Sequence, residues 1–428
     1  MGSFNLADQT ELFKINYYKK SENMYNSNNV LQGRIKKMFN FTGKQKLLAT
    51  PLSFSGGVGS GSLPTANAGS YGNAIITAKR VYARAEIERE AIKASANDAG
   101  AFVRATKETV KKTVESYMRN GSRILFGDGS GMLGRGDATA NVTGTGAVAT
   151  PYVVRMSQAG VLPFLEANFE EKDYIEVVTG LNVGDNRGGT AEGTLLEIVD
   201  IDPVTGDVSL VGVSAALSAL AGIFPVGPAA PMPATTGLVM QGSYLNDPIG
   251  LKAVIELGDT DGAGNIYGIP FQRRWSSLVV DAAGKGITVD LMNSVMLQIE
   301  KRAGKVPKMI MTSYEQFQNI LALLESQKVY NLPNKNLKGA LSFEGVQFMS
   351  TRGPVGIFVD RFCPKDQIFF LNDSRIECHH RPGFGWFDDD GTVFLRLANS
   401  DGYEARYGGY YENFIIPTGH GLLKGLAV

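Results

Sequence analysis

The chain lacks net charge, is poor in cysteine and histidine, and contains no long apolar run, and each lack removes a class of function. Lysine and arginine together number 42, as do aspartate and glutamate, so no global field draws its 428 residues to nucleic acid or to an acidic membrane. A near-neutral chain is poorly protected against self-association, which suits a protein that assembles with itself. Two cysteines, Cys363 and Cys378, cannot build a disulfide framework and fit a reducing or redox-indifferent compartment. With three histidines and no Ser/His/Asp elbow, hydrolase chemistry has no centre, and no enzyme is expected. The start, Met-Gly-Ser-Phe-Asn-Leu-Ala-Asp, has no basic-then-apolar pattern, so a protein without a secretory leader is expected, made and used in a cytoplasm. The best membrane candidate, 211–226, is too short and is interrupted by serines and Pro225, so no membrane association is expected.

What is present is one long amphipathic segment, 97–127. Val103, Val110, Val114, Tyr117, Met118, Ile124 and Leu125 recur at helical spacing, and Phe102 extends the same core face. Arg104, Lys107, Glu108, Lys111, Lys112, Glu115 and Arg119 fill the other face. Glu108 can reach Lys112 and Glu115 can reach Arg119 at the favourable spacing. Asn97 or Asp98 is the expected N-cap and Gly127 the expected C′ residue. The helix would be roughly 43 Å long at 1.5 Å per residue and needs a sheet to lie on.

The length predicts two or three structural units. Residues 1–43 are polar, and through Leu48 eight basic side chains face three acidic ones, a balance of about +5. This arm reads either as a solvated tail or as an extended arm lying on neighbouring subunits. Phe54-Ser-Gly-Gly-Val-Gly-Ser-Gly-Ser-Leu-Pro-Thr-Ala-Asn-Ala-Gly is too rich in glycine and serine to pack a core. Alternation resumes beyond it through Ile75, Thr77, Val81, Ala83, Ala85 and Ile87, so 44–79 reads as a long hairpin with a flexible tip. Phe54, Gly56, Gly57, Gly59, Gly61, Pro64 and Asn67 are the candidate intersubunit residues, expected to order against another copy.

Residues 137–246 form a compositional block with Lys172 as the only lysine and with strand-like runs at 174–179, 195–201, 208–213 and 238–241. Turn signals at Gly184-Asp-Asn, Pro203-Val-Thr-Gly-Asp and the Pro-rich 224–236 separate them, which predicts an inserted, barrel-like all-β domain. Gly250-Leu-Lys-Ala-Val-Ile resumes the interrupted core. A helix over 289–302, a strand at 308–313 and a helix over 314–327 capped by Ser313 follow, then strands at 343–350, 356–360 and 367–371. The tail alternates through Val393, Leu395 and Leu397 and runs past Tyr403, Tyr407 and Tyr410 to Ile415, as a long strand or strand pair. No internal repeat is present.

Several motifs invite chemistry. Gly129-Ser-Gly-Met-Leu-Gly134 matches GxGxxG, but a helix precedes it and β sequence follows, the reverse of a dinucleotide fingerprint. A glycine-loop nucleotide-binding enzyme is therefore the rival from another class, and no cofactor is expected. Arg135-Gly-Asp137 in the same loop reads as chance. Cys378-His379-His380 could hold zinc only with help from Cys363 or His420; an edge strand with partly exposed imidazoles is the better reading, and no metal is expected. Asp388-Asp-Asp-Gly391 and Asp259-Thr-Asp-Gly-Ala-Gly resemble calcium-loop fragments without the bidentate glutamate and read as acidic turns.

The order of these elements resembles the major capsid proteins of tailed bacteriophages with the Hong Kong 97 phage-type fold. The resemblance rests on the polar arm, the glycine-rich loop, the strand Val81 to Ile87, Asp98-Ala-Gly-Ala-Phe-Val opening a helix that ends at Leu125-Phe-Gly-Asp-Gly-Ser-Gly, Pro307-Lys-Met-Ile-Met-Thr-Ser, Phe343-Glu-Gly-Val, and the ending Pro417-Thr-Gly-His-Gly-Leu-Leu-Lys-Gly-Leu. It covers about two-thirds of the chain once 137–246 is set aside. It implies an α+β fold divided into an N-terminal arm (1–43), an extended loop (44–79), a peripheral domain with a spine helix (80–136), an inserted β-domain (137–246), more peripheral domain (247–284), an axial domain (285–385) and peripheral C-terminal strands (386–428). It implies a structural protein of the virion, assembled in the host cytoplasm. Its partners would be itself, in hexamers and pentamers of an icosahedral head, a portal protein, a separate scaffolding protein, decoration proteins and packaged double-stranded DNA held without sequence preference. Family members can cross-link covalently; Lys44, Lys46 and Asn399 are candidates by location alone. A bacterial encapsulin-type compartment shell is the alternative within the fold.

Overall fold

The computed structural model describes residues 31–53, 69–88, 99–213, 224, 231–326, 346–350, 353–388, 391, 393–397 and 401–428. Most of the expected arm (1–30), the loop tip (54–68), the helix cap (Asn97, Asp98) and Asn399 lie outside them.

The long strand Gly402–Ile415 is the axis of a six-stranded sheet. Lys79–Glu88 pairs with it antiparallel from Gly402 opposite Glu88 to Tyr411 opposite Lys79. Its other edge is shared in succession by Ile376–His380, Gly385–Trp386 and Leu395–Arg396. Gly408 stands where the backbones come closest: a Cβ there would lie 2.3 Å from the Val81 carbonyl oxygen, so only glycine fits.

Helix α1, Ala99–Phe126, lies across this sheet. Val114, Tyr117 and Met118 are buried against Tyr407, with Val81, Ala83, Phe384 and Trp386 around them. The Tyr117 and Tyr407 rings meet edge to face, 5.2 Å apart. Two details of α1 differ from the sequence reading. Gly127 does not take the left-handed conformation of a C′ residue; its N–H bonds the Ile124 carbonyl in a tight final turn. Glu115 pairs with Lys111 at 3.6 Å, because Arg119 is drawn away to two carboxylates from a distant part of the chain.

The inserted unit is a closed antiparallel ring. Its strands run in the order Met132–Arg135, Gly237–Met240, Tyr174–Thr179, Leu196–Ile201, Asp207–Gly212 and Tyr152–Arg155. The ring closes where Gly136 bridges Met156, with Asp137 N–H to Arg155 O at 2.9 Å and Ser157 N–H to Arg135 O at 2.8 Å. Period-two alternation fills the interior: Val154 and Met156, Ile175 and Val177, Leu196 and Ile198, Val208 and Leu210 are all buried there. The first strand, Met132–Arg135, lies ahead of residue 137, where the change in composition had placed the boundary. Its glycine and arginine resemble the preceding turn, so composition could not assign it.

A third, mixed sheet runs Leu278–Asp281, Gly421–Lys424, Ile368–Leu371, Met309–Thr312, Gly353–Val359 and Val346–Ser350. Helix α2, Val289–Ala303, buries Met292, Val295, Met296 and Ile299 in the core this sheet shares, and α3, Tyr314–Ser326, contributes Ile320. Thr288 caps α2 by accepting from Leu291 N–H at 3.1 Å, and left-handed Gly304 ends it. Ser313 Oγ accepts from Gln316 N–H at 3.3 Å and caps α3. Sheet membership cuts across the segments expected from sequence. Leu278–Asp281 and Gly421–Lys424 belong here rather than to the sheet built on Gly402–Ile415, whereas Ile376–His380 belongs to that sheet. These pairings join residues far apart in sequence, and no local pattern encodes them.

Candidate assembly elements

The hairpin pairs Gln45–Ser53 with Ser70–Thr77. The alternation beyond its tip breaks at Ala78, after which Lys79–Glu88 pairs with Gly402–Ile415 and not with the hairpin arm. One hairpin face is anchored: Leu52, Ala74 and Ile76 are buried, and Ile75 N–H bonds the Tyr267 carbonyl at 2.9 Å. The other face carries exposed apolar side chains. Leu47 stands opposite Ile75 and Pro51 opposite Tyr71, with Leu47 63%, Tyr71 64% and Ile75 42% exposed. The candidate tip residues Phe54, Gly56, Gly57, Gly59, Gly61, Pro64 and Asn67 lie outside the described residues.

At the hairpin base, Lys46 Nζ donates to Asn40 Oδ1 at 2.9 Å and lies 3.3 Å from His379 Nδ1. His379 Nε2 lies 3.1 Å from a Glu377 carboxylate oxygen, and Lys36 pairs with Glu377 at 3.5 Å. Lys36–Met38 adds to Ile376–His380 as a parallel strand. That strand is therefore interior to the sheet, and the expectation of an edge strand with partly exposed imidazoles is corrected: His379 and His380 are each 1% exposed. Burial pushes both imidazoles down, with Lys46 next in effect on His379 and Lys37 on His380, and His380 falls to about 3. Burial also raises Cys378. Among the described residues no group of three or more His, Cys, Asp or Glu could hold a metal.

On α1, Val110, Val114, Tyr117 and Ile124 are buried, and the Phe102 and Val103 side chains lie outside the described residues. Lys111 and Lys112 are exposed on the opposite face. The helix also carries the mount for the barrel. Arg119 pairs with Glu170 and Asp173, and Arg123 with Asp247 at 2.8 Å. Lys79 Nζ donates to the Asp247 carbonyl at 2.6 Å. From the long strand, Glu412 accepts the Ile249 N–H at 2.6 Å while Asn413 Nδ2 donates to the Ile249 carbonyl at 2.9 Å. Burial pushes Glu412 up to about 7, against the pull of Lys79.

The glycine stretch 129–134 forms the other half of this neck. Leu245 N–H bonds the Ser130 carbonyl at 2.8 Å, and a Cβ on left-handed Gly131 would lie 2.4 Å from Ser243 O. Burial would raise the Asp128 carboxyl, but Lys252 and hydrogen bonds from Ser130 and Asn186 overcome this and hold it low. The glycines thus let two segments of the chain cross at close range; no helix opens on them to cradle a phosphate. In the acidic turn, Asp259 accepts from Gly262 N–H and Asp261 from Ala263 N–H and Asn265 Nδ2, each at 2.8 Å, so the turn satisfies its own carboxylates. Sequence reasoning missed Arg123, Asp247 and Glu412; the available signal was a glutamate inside the apolar run Tyr410-Tyr-Glu-Asn-Phe-Ile415.

Residues 222–381 match the family model described as SU10 major capsid protein. No curated protein matches the chain. Among solved structures, the chain is similar to a protein of the cyanophage A-1(L) capsid asymmetric unit, at 12% identity and TM-score 0.50, covering 93% of each chain. It is also similar to a chain of the capsid of an empty GTA particle, at 7% identity and TM-score 0.44, covering 93% of this chain and 93% of that one. A Gordonia phage Cozz chain has 8% identity and TM-score 0.42, with coverage of 94% and 87%.

Proposed function

We propose that this chain, a phage capsid subunit with the Hong Kong 97-type fold, assembles into hexamers and pentamers of an icosahedral head that encloses double-stranded DNA. The observation that carries the assembly reading is the exposed hairpin face, where Leu47 and Ile75 present apolar surface that a second copy would bury. The mechanism is mechanical: many modest contacts sum over a closed shell, each subunit lending arm and hairpin to its neighbours. Contact with the genome is electrostatic and independent of sequence. A portal protein, a scaffolding protein and decoration proteins complete the proposed set of partners. The match of residues 222–381 to a phage family favours a phage head over an encapsulin-type compartment. Negative-stain microscopy of the purified protein tests the proposal: shells, rings or tubes are expected, and a monodisperse monomer at high concentration overturns it.

A further inference from the structure

The neutral chain is electrically uneven. Residues 137–246 hold twelve acidic side chains and three basic ones, so the remainder carries an equal excess of positive charge. Part of that excess is concentrated where the 271–277 loop meets the C-terminal end of α2. Arg273 and Arg274 are exposed on the loop and have no ion-pair partner among the described residues, while Lys301 and Lys305 are exposed at the end of the helix. Lys308 follows, in an open pair with Asp373 at 3.3 Å.

The platform is rigid. Trp275 is 1% exposed and its Nε1–H bonds the Ile266 carbonyl at 3.1 Å, nailing the loop to the core behind the two arginines. Arg302 reaches up from α2 and donates to the Ser277 carbonyl at 2.9 Å and the Arg273 carbonyl at 3.0 Å. Thr418 Oγ1 holds the Arg274 carbonyl from the other side. Arg302 is thus a positioning residue: its donors serve the loop, through two backbone carbonyls and Ser276 Oγ, and its charge adds to the local field. Burial and the neighbouring Arg273 lower its pKa. Like charges gathered on a fixed platform raise the local positive potential and favour a polyanion there.

We infer that this surface, Arg273, Arg274, Lys301 and Lys305 on the loop–helix platform, is where the subunit meets the phosphate backbone of packaged duplex DNA. The inference rests on the proposed shell function and names the site of its genome contact. The acidic barrel of another copy is the less suited occupant, because its carboxylates are partly engaged already: Glu170 and Asp173 with Arg119, Asp207 with Arg155, and Asp202 within its own turn.

The test uses the full chain, an arbitrary-sequence DNA duplex and two sets of substitutions. Arg273→Gln, Arg274→Gln and Lys305→Gln are combined in one variant; Lys111→Gln and Lys112→Gln on the exposed face of α1 form the control. DNA binding is measured across a salt series and assembly by microscopy. Each lost phosphate contact should flatten the salt slope by about one. The triple variant should therefore lose roughly two to three in slope and at least about tenfold in affinity at low salt, yet assemble normally, with the control unchanged. Unaltered DNA binding by the triple variant overturns the inference. So does a triple variant that binds DNA but cannot assemble, which would mark the platform as a contact with another subunit. A wild-type shell that binds no DNA removes this inference and leaves the shell standing, whereas a wild type that never assembles removes both.

Discussion

Val114 is 2% exposed beneath Tyr407, and Lys111, one turn away, is 51% exposed with only an open pair to Glu115. An aspartate at 114 would be an unpaired carboxylate in an apolar site, costing about 3 kcal/mol or more. Lys111→Asp loses a surface pair worth about 0.5 kcal/mol or less. We expect Val114→Asp to be insoluble or unfolded and Lys111→Asp to be soluble with a near-native melting temperature; equal solubility would mean that α1 does not bury this face. Glu412 makes a second residue-scale prediction. Its folded pKa, about 7, lies above the ordinary 4.5, so the proton stabilises the fold. That contribution is present in full below 4.5 and is lost as pH rises through 7. His380 and His420, held at about 3, act in the opposite sense: their stabilisation is present above 6.5 and is lost as pH falls toward 3. Glu412→Gln keeps an acceptor for the Ile249 N–H but removes the titration. Relative to wild type it should gain stability between pH 5 and pH 8, by up to about 3 kcal/mol at about 1.4 kcal/mol per pKa unit, with a constant difference in more acid solution. A melting-temperature difference that stays flat across this range would show that Glu412 does not titrate there.

At the scale of elements, the hairpin and the barrel neck divide the labour. The hairpin is fixed at its base by Lys46 and along one face by Leu52 and Ile76, so whatever its outer face does, it does as a semi-rigid lever. Removing residues 56–68 leaves the paired strands untouched. The shortened chain should fold with an unchanged melting temperature and fail to close shells. Normal particles would show that the tip is no clamp. The barrel neck was not foreseeable in the same way. Gly129 and Gly131 stood out in the sequence as a nucleotide motif, yet their left-handed backbones serve the close crossing with Ser243 and Asp247. Glycine signals only that a side chain is not tolerated. What approaches, a phosphate or another segment of the chain, is decided by the residues a hundred positions later.

For the whole molecule, the ring closure at Gly136 and Met156 implies a unit with its own core and adjacent ends. A fragment spanning 130–246 should therefore unfold cooperatively and give a β-type circular dichroism spectrum. A fragment starting at 137 lacks the strand Met132–Arg135, leaves the ring open and should fail to fold. If both behave alike, the first strand does not close the barrel.

Local pattern in the sequence by itself determined the long helix, the alternation of the barrel strands, the hairpin arms, and the cap at Ser313, because each depends on side chains within a turn or two of one another. Tertiary structure alone decided which sheet each strand joined, that Lys36–Met38 seals the strand bearing His379 and His380, and that Arg119 abandons Glu115 for the barrel. Those outcomes are set by pairing and charge compensation between segments far apart in sequence. A strand's own pattern states which faces must be covered; its partner is chosen by the competition among every other edge and charge in the folded chain.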